Sequence, residues 1–253
     1  MSDELVGTFQ SDGVTIAYRD QGEGDPVLLI HGFASNHTIN WVGPGWFELL
    51  TQAGHRVIAL DNRGHGQSEK LYDPALYTAR IMASDARRLL DHLEIERVTV
   101  MGYSMGARIS AFLCMDAPER VSKVLFGGLG INMVRGIGGS EIIADALRAE
   151  SLADVTHPVG KAFRAFADQT KSDREALATC ISASRDPITE ADVRSIHQPA
   201  LVSIGEKDEV SGNGEELVDL LADGQLLMIP ARDHMNAVGD KAHKAGVLAF
   251  LGH

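Results

Sequence analysis

Short apolar runs alternate with helix-period segments along most of this chain, and that alternation limits the fold more than any other feature. Residues 14–18 follow the turn-like Ser11-Asp12-Gly13 and read as a hairpin strand. Residues 27–30 and 57–60 are continuous apolar runs, as strands covered on both faces require. Residues 98–101, 121–126, 200–204 and 226–229 are similar. Helical patterns lie between them. Within residues 78–94, Met82, Ala86, Leu89, Leu90 and Leu93 recur at spacings of 4, 3, 1 and 3, one face of a helix. Residues 107–115, 215–221 and 241–251 are weaker versions. Such alternation predicts an α/β fold, a mostly parallel, doubly wound sheet with helices on both faces.

Between residues 130 and 196 the alternation stops. No strand-like run occurs there, and three helical patterns do, carried by Ile142/Ile143/Ala146/Leu147, Val159/Ala162/Phe163/Phe166 and Ala176/Leu177/Cys180/Ile181. The expectation is a small helical cap, inserted between two sheet strands and lying over the strands' carboxyl ends, where ligands of open α/β sheets bind. Residues 1–129 and 197–253 then form the core domain. The chain's 253 residues are enough to bury it.

Composition narrows the partners. A formal net charge of -12 repels phosphate backbones and anionic lipid, so neither nucleic acid nor a membrane surface is an expected partner. The two cysteines, Cys114 and Cys180, are too few for a disulfide framework or a thiolate metal site and suit buried packing in a reducing compartment. The start, Met1-Ser2-Asp3-Glu4-Leu5, lacks the basic and apolar regions of a signal peptide, and no apolar run is long enough to span a bilayer. A cytoplasmic location is expected.

The chemistry centres on Gly102-Tyr103-Ser104-Met105-Gly106, which directly follows one strand-like run and precedes a helical one. A sharp strand-to-helix turn of this kind lifts a serine hydroxyl into the crevice near a helix N-terminus, which favours developing negative charge. Ser104 is therefore the expected nucleophile. Its base is expected at His234, in the loop after the last strand and so on the same rim. His55 falls at the opposite rim, and His31 and His65 occupy Gly-flanked turns that stabilise loops. The orienting carboxylate is expected at Asp208, in Gly205-Glu206-Lys207-Asp208, with Glu206, Glu209, Asp186 and Asp233 as competitors. For the oxyanion, the backbone N–H groups of Met105 and of Phe33, in His31-Gly32-Phe33 after a strand, are the expected donors.

Together these residues resemble the α/β-hydrolase superfamily over nearly the whole chain. Residues 31–33 look like its oxyanion loop, 102–106 its nucleophile elbow, 205–208 its acid loop, and 233–234 its histidine loop. Residues 61–68, Asp-Asn-Arg-Gly-His-Gly-Gln-Ser, resemble a loop that is usually structural in the family. Serine at 104 departs from the aspartate of haloalkane dehalogenases and epoxide hydrolases, which disfavours those two activities. The resemblance implies a serine hydrolase of carboxylesterase type, acting on a small-molecule ester of small or medium, largely apolar character, with no metal or organic cofactor. Lactonase, thioesterase, carbon–carbon bond hydrolase and cofactor-free perhydrolase activities stay open, as does a ligand receptor with slow turnover. Trp41, Tyr103, Met133, Phe163 and Phe166 are expected pocket residues, and Arg135, a candidate to meet a substrate carboxylate, is expected to be solvated instead.

Overall fold

The computed structural model describes residues 6–253; the amino-terminal segment read above for targeting signals lies outside them. Eight strands form one sheet in the order β1-β2-β4-β3-β5-β6-β7-β8: β1 (Val6–Ser11), β2 (Val14–Gln21), β3 (Asp25–Ile30), β4 (His55–Leu60), β5 (Val98–Tyr103), β6 (Val121–Gly127), β7 (Ala200–Gly205) and β8 (Gly224–Ile229). β1 and β2 form an antiparallel hairpin, and β2 pairs antiparallel with β4. From β4 to β8 every pairing is parallel.

Among the described residues ten α-helices accompany the sheet: α1 (Trp46–Gln52), α2 (Ala79–His92), α3 (Met105–Asp116), α4 (Asn132–Arg135), α5 (Ser140–Arg148), α6 (Pro158–Gln169), α7 (Arg174–Ala183), α8 (Glu190–Arg194), α9 (Gly214–Val218) and α10 (Lys241–Leu251). The two-residue period of a strand divides its side chains between two layers. On β3, Leu28 and Ile30 join a cluster with Met82, Ala86, Leu89, Ile109 and Phe112 of α2 and α3. Val27 and Leu29 join the opposite cluster, with Trp46, Phe47 and Leu50 of α1 and Val247 of α10. The continuous apolar runs are thus explained by cover on both faces. The helix in residues 78–94 begins at Ala79, capped by the Thr78 hydroxyl, which accepts from Ile81 N–H at 3.1 Å. α1 has no counterpart in the sequence reading, because its seven residues carry too few turns to show a period. α9 ends at Val218, short of the expected residue 221.

Between β6 and β7 lie α4 to α8 and no strand. Ile143, Ala144 and Leu147 of α5 pack with Ala167 of α6 and Leu177, Ala178 and Ile181 of α7. The same cluster includes Ala34, with Phe33, Phe163 and Phe166 packed against it, so these helices rest on the loop that leaves β3. Arg108 of α3 holds the two ends of the segment side by side. Its guanidinium donates to the carbonyls of Asn132 and Met133, at 3.2 and 3.0 Å, and of Asp186 at 2.8 Å. Among the described residues no helix is long and apolar enough to cross a membrane.

The strand order also locates a crevice. β4 and β5 lie on opposite sides of β3, so the chain reverses its winding direction across β3 and β5. The carboxyl ends of those two strands are where ligands bind in open α/β sheets. They deliver the loop beginning at His31 and the turn at Ser104.

Candidate active site

Ser104 follows the last residue of β5 and precedes α3 with φ 55° and ψ −111°, a backbone that non-glycine residues rarely adopt. Close approach makes both neighbouring glycines necessary. A Cβ on Gly102 would lie 2.2 Å from the Gly106 carbonyl oxygen and 2.4 Å from Ser110 Oγ, and one on Gly106 would lie 2.0 Å from the Ile30 carbonyl oxygen. The strained turn is thereby wedged against both α3 and the end of β3.

The loop after β8 brings the imidazole of His234 to this serine. Its Nε2 stands 3.1 Å from Ser104 Oγ, and its Nδ1 stands 2.8 Å from Asp208 Oδ2. A carboxylate only accepts, so the Nδ1 position carries the proton and Nε2 is free to accept from the serine hydroxyl. Asp208 is itself held firmly: Oδ1 accepts from Val210 N–H at 2.8 Å and Ser211 N–H at 3.0 Å, and Oδ2 from Ser211 Oγ at 2.6 Å. Burial alone would raise its carboxyl, but the hydrogen bond and charge of His234, with Ser211 and Val210, hold it below the usual carboxylate range. The competing acids have other partners. Glu206 accepts from Ala231 N–H, Asp233 is turned onto the N–H groups of Met235 and Asn236, and Asp186 accepts from Ala79 N–H. Glu209 is exposed.

Gly32 is fixed at both its carbonyl and its N–H. His31 Nε2 accepts from Asn62 N–H at 2.9 Å, so its proton sits on Nδ1, which donates to the Gly32 carbonyl at 2.7 Å. Burial lowers the His31 pKa and keeps the ring neutral in this role. Gly32 N–H is taken by Asn40 Oδ1 at 3.0 Å. Among the described residues no group accepts from Phe33 N–H, and Met105 N–H begins α3, where a helix leaves its first donors unpaired. Asn40 and Ser211 escaped the sequence reading. Asn40 lies in the short helical turn Thr38–Val42, between Ile39 and Trp41, and Ser211 in a loop, and no motif singles out either.

The expected pocket residues are placed unevenly. Phe33 is partly buried, with its ring centroid 5.6 Å from that of Phe163 on α6 and 5.8 Å from that of His65. Phe166 packs beside Phe163 in the helical segment. Trp41 and Met133 are fully buried in the two core clusters. Tyr103 is also buried, in the same core cluster as Met101, Leu125 and Trp46. Arg135 pairs with Glu216 at 2.5 Å on the surface. The loop at residues 61–68 is structural in its contacts. Arg63 makes a buried bidentate pair with Asp85 of α2, and Asp61 accepts from His37 and from Gln67 N–H. Burial opposes the Asp61 charge, yet His37 and His31 bring its pKa down to about 2.

A mostly parallel sheet covered by helices on both faces, with a strained serine elbow, an acid after β7 and a histidine after β8, defines a class: the chain belongs to the α/β-hydrolase superfamily. Residues 25–132 match the family model described as alpha/beta hydrolase fold. The chain is 27% identical to the non-heme chloroperoxidase CPO-A1 of Kitasatospora aureofaciens, over 91% of this chain and 93% of that protein. It is 33% identical to the dihydrolipoyllysine-residue acetyltransferase component of the acetoin cleaving system of Cupriavidus necator, over 96% of this chain and 62% of that longer protein. A solved hydrolase from Pseudomonas aeruginosa PA01 is similar throughout, with a TM-score of 0.82, 27% identity and full coverage of both chains.

Proposed function

We propose that this chain is a serine hydrolase that cleaves a small or medium, largely apolar ester through an acyl-enzyme on Ser104, with residues 130–196 acting as the cap that sets specificity. The observation that carries this reading is the continuous chain of contacts from Asp208 through His234 to Ser104, at 2.8 and 3.1 Å. In the first step His234 Nε2 takes the hydroxyl proton as Ser104 Oγ bonds to the acyl carbon. The carbonyl oxygen becomes an oxyanion facing the N–H groups of Phe33 and Met105. The protonated imidazole, steadied by Asp208, then gives its proton to the leaving oxygen as the carbon–oxygen bond breaks and the alcohol departs. Water repeats the sequence on the acyl-enzyme and frees the acid. The apolar character of the substrate is supported by the cluster of α5–α7 side chains that reaches Phe33 through Phe163.

The likeness to a chloroperoxidase favours one second reading. Hydrogen peroxide in place of water would attack the same acyl-enzyme and release a peracid, leaving the serine regenerated. Steady-state hydrolysis of p-nitrophenyl esters from acetate to decanoate, with and without peroxide, tests both readings. The expected result is multiple turnover on short esters that falls about 10⁴-fold in Ser104→Ala. Wild-type turnover by Ser104→Ala would overturn the mechanism.

A further inference from the structure

The loop that carries His234 is exposed on most of its length: Ala231, Arg232, Asp233, Met235 and Asn236 all face solvent. Its ends are secured, by Lys207 N–H on the Arg232 carbonyl at 2.8 Å and by Trp46 Nε1 on the Val238 carbonyl at 2.9 Å. At the tip itself one side chain from outside the loop holds the backbone. Tyr103 donates its hydroxyl to the carbonyl of His234 at 2.6 Å, across 131 positions of sequence. Its ring also lies against the imidazole, with centroids 5.6 Å apart and planes inclined at 48°.

Three further observations show that this contact is built into the core rather than laid on the surface. Tyr103 is the last residue of β5, so its Cα is fixed by the sheet next to the nucleophile. Its side chain is 5% exposed, and burial pushes its hydroxyl pKa far up, so the group stays a donor across the working pH range. β6 ends in glycine to make room: a Cβ on Gly127 would come within 2.7 Å of the Tyr103 ring. Asp208 grips the imidazole at Nδ1 and Tyr103 grips the same residue at its main-chain carbonyl. A side chain held at both ends keeps its Nε2 on the line to Ser104.

We propose that Tyr103 is a positioning residue, which ties the nucleophile's strand to the backbone of His234 and so sets the distance from imidazole to serine. The proposal rests on the hydrolase reading above, since Tyr103 acts through His234. The hydrogen bond is part-buried, and its loss from an ordered site is expected to lower the rate about tenfold.

The test is Tyr103→Phe, which keeps the ring and removes only the tether. With p-nitrophenyl acetate, kcat is expected to fall about tenfold while KM stays within about twofold, because the substrate's own contacts are intact. A downfield Nδ1–H proton resonance of His234 is expected to be sharp in the unaltered protein and to broaden by exchange with water in the variant. That readout needs no turnover and separates loss of positioning from simple loss of folded protein, which circular dichroism monitors in parallel. Unchanged kcat with an unchanged resonance, beside an inactive Ser104→Ala, overturns the role of Tyr103 alone. If Ser104→Ala turns over like the unaltered protein, the hydrolase reading falls and the catalytic role of Tyr103 falls with it.

Discussion

The rim of the sheet and the helical segment above it are built on different principles. At the rim, the buried polar groups around Asp208 and Gly32 are answered, while Asn62 Oδ1 and His65 Nε2 in the neighbouring loop find no partner among the described residues. Asp208 accepts from two N–H groups, a hydroxyl and an imidazole, and Gly32 is fixed at its N–H and its carbonyl. In the segment from residue 130 to 196 the cluster shared by α5, α6 and α7 is small and apolar, with the buried Arg164 guanidinium bonded to the carbonyls of Ala146 and Glu150 beside it. Other polar contacts lie on the outside, as between the exposed Arg148 and Glu175 at 2.9 Å. Exposed pairs of this kind contribute at most about 1 kcal/mol. Buried polar networks allow few alternative arrangements, because every displaced group leaves another unpaired. An apolar cluster of Ala, Leu, Ile and Phe can repack with small losses. The rim is therefore suited to fixed chemistry, and the helices above it to adjustable fit.

The most severe test of this contrast is Asp208→Asn at the rim. The amide keeps the shape but no longer matches the imidazole Nδ1–H, so kcat is expected to drop by about 10²- to 10⁴-fold with KM nearly unchanged. Steady-state kinetics on p-nitrophenyl acetate measure it, and a loss below threefold would break the distinction. Phe163→Ala, in the helical segment, is expected to change the ratio of kcat/KM for octanoate over acetate esters by about tenfold while altering the acetate rate less than about threefold. Equal loss on every chain length would make Phe163 part of the rim's machinery instead.

The smallest effect concerns a second buried histidine of the core. His243 donates from Nδ1 to the Val238 carbonyl at 3.1 Å and takes the Ser203 hydroxyl on Nε2 at 3.0 Å; burial lowers its pKa from 6.5 to about 4. The unfolded chain binds that proton near pH 6.5 and the folded one only near 4, so the stabilisation is complete above pH 6.5 and is lost as pH falls toward 4. His243→Gln should melt below the unaltered protein at pH 7, and the gap should narrow by a few degrees by pH 4. Thermal melts at the two pH values decide it; a constant gap would mean that His243 does not couple folding to protonation.

How far the sequence could be read depended on distance along the chain. The strand runs at 27–30 and 98–101 and the helix begun at Thr78 were visible because their signals lie within a dozen residues. The turn at Ser104 was visible for the same reason. α1 was not, since Trp46 and Phe47 take their meaning from packing under the sheet rather than from a period. Trp41 and Met133 looked equally suited to a pocket wall or to the core, and nothing local separates the two. Strand order placed the acid in the loop that holds both Asp208 and Glu206, but the actual bond from Asp208 to His234 spans 26 positions and only the folded loops create it.

By itself the sequence determined the architecture and the elbow around Ser104, because hydrophobic period and glycine placement act through near neighbours. Tertiary structure alone decided which polar groups meet. It set His234 against a serine 130 positions away, turned Asp233 and Glu206 to other partners, and buried the Tyr103 hydroxyl against the histidine's own backbone. Hydrogen bonds need their partners within a few tenths of an ångström, and that placement emerges only when the whole sheet has closed.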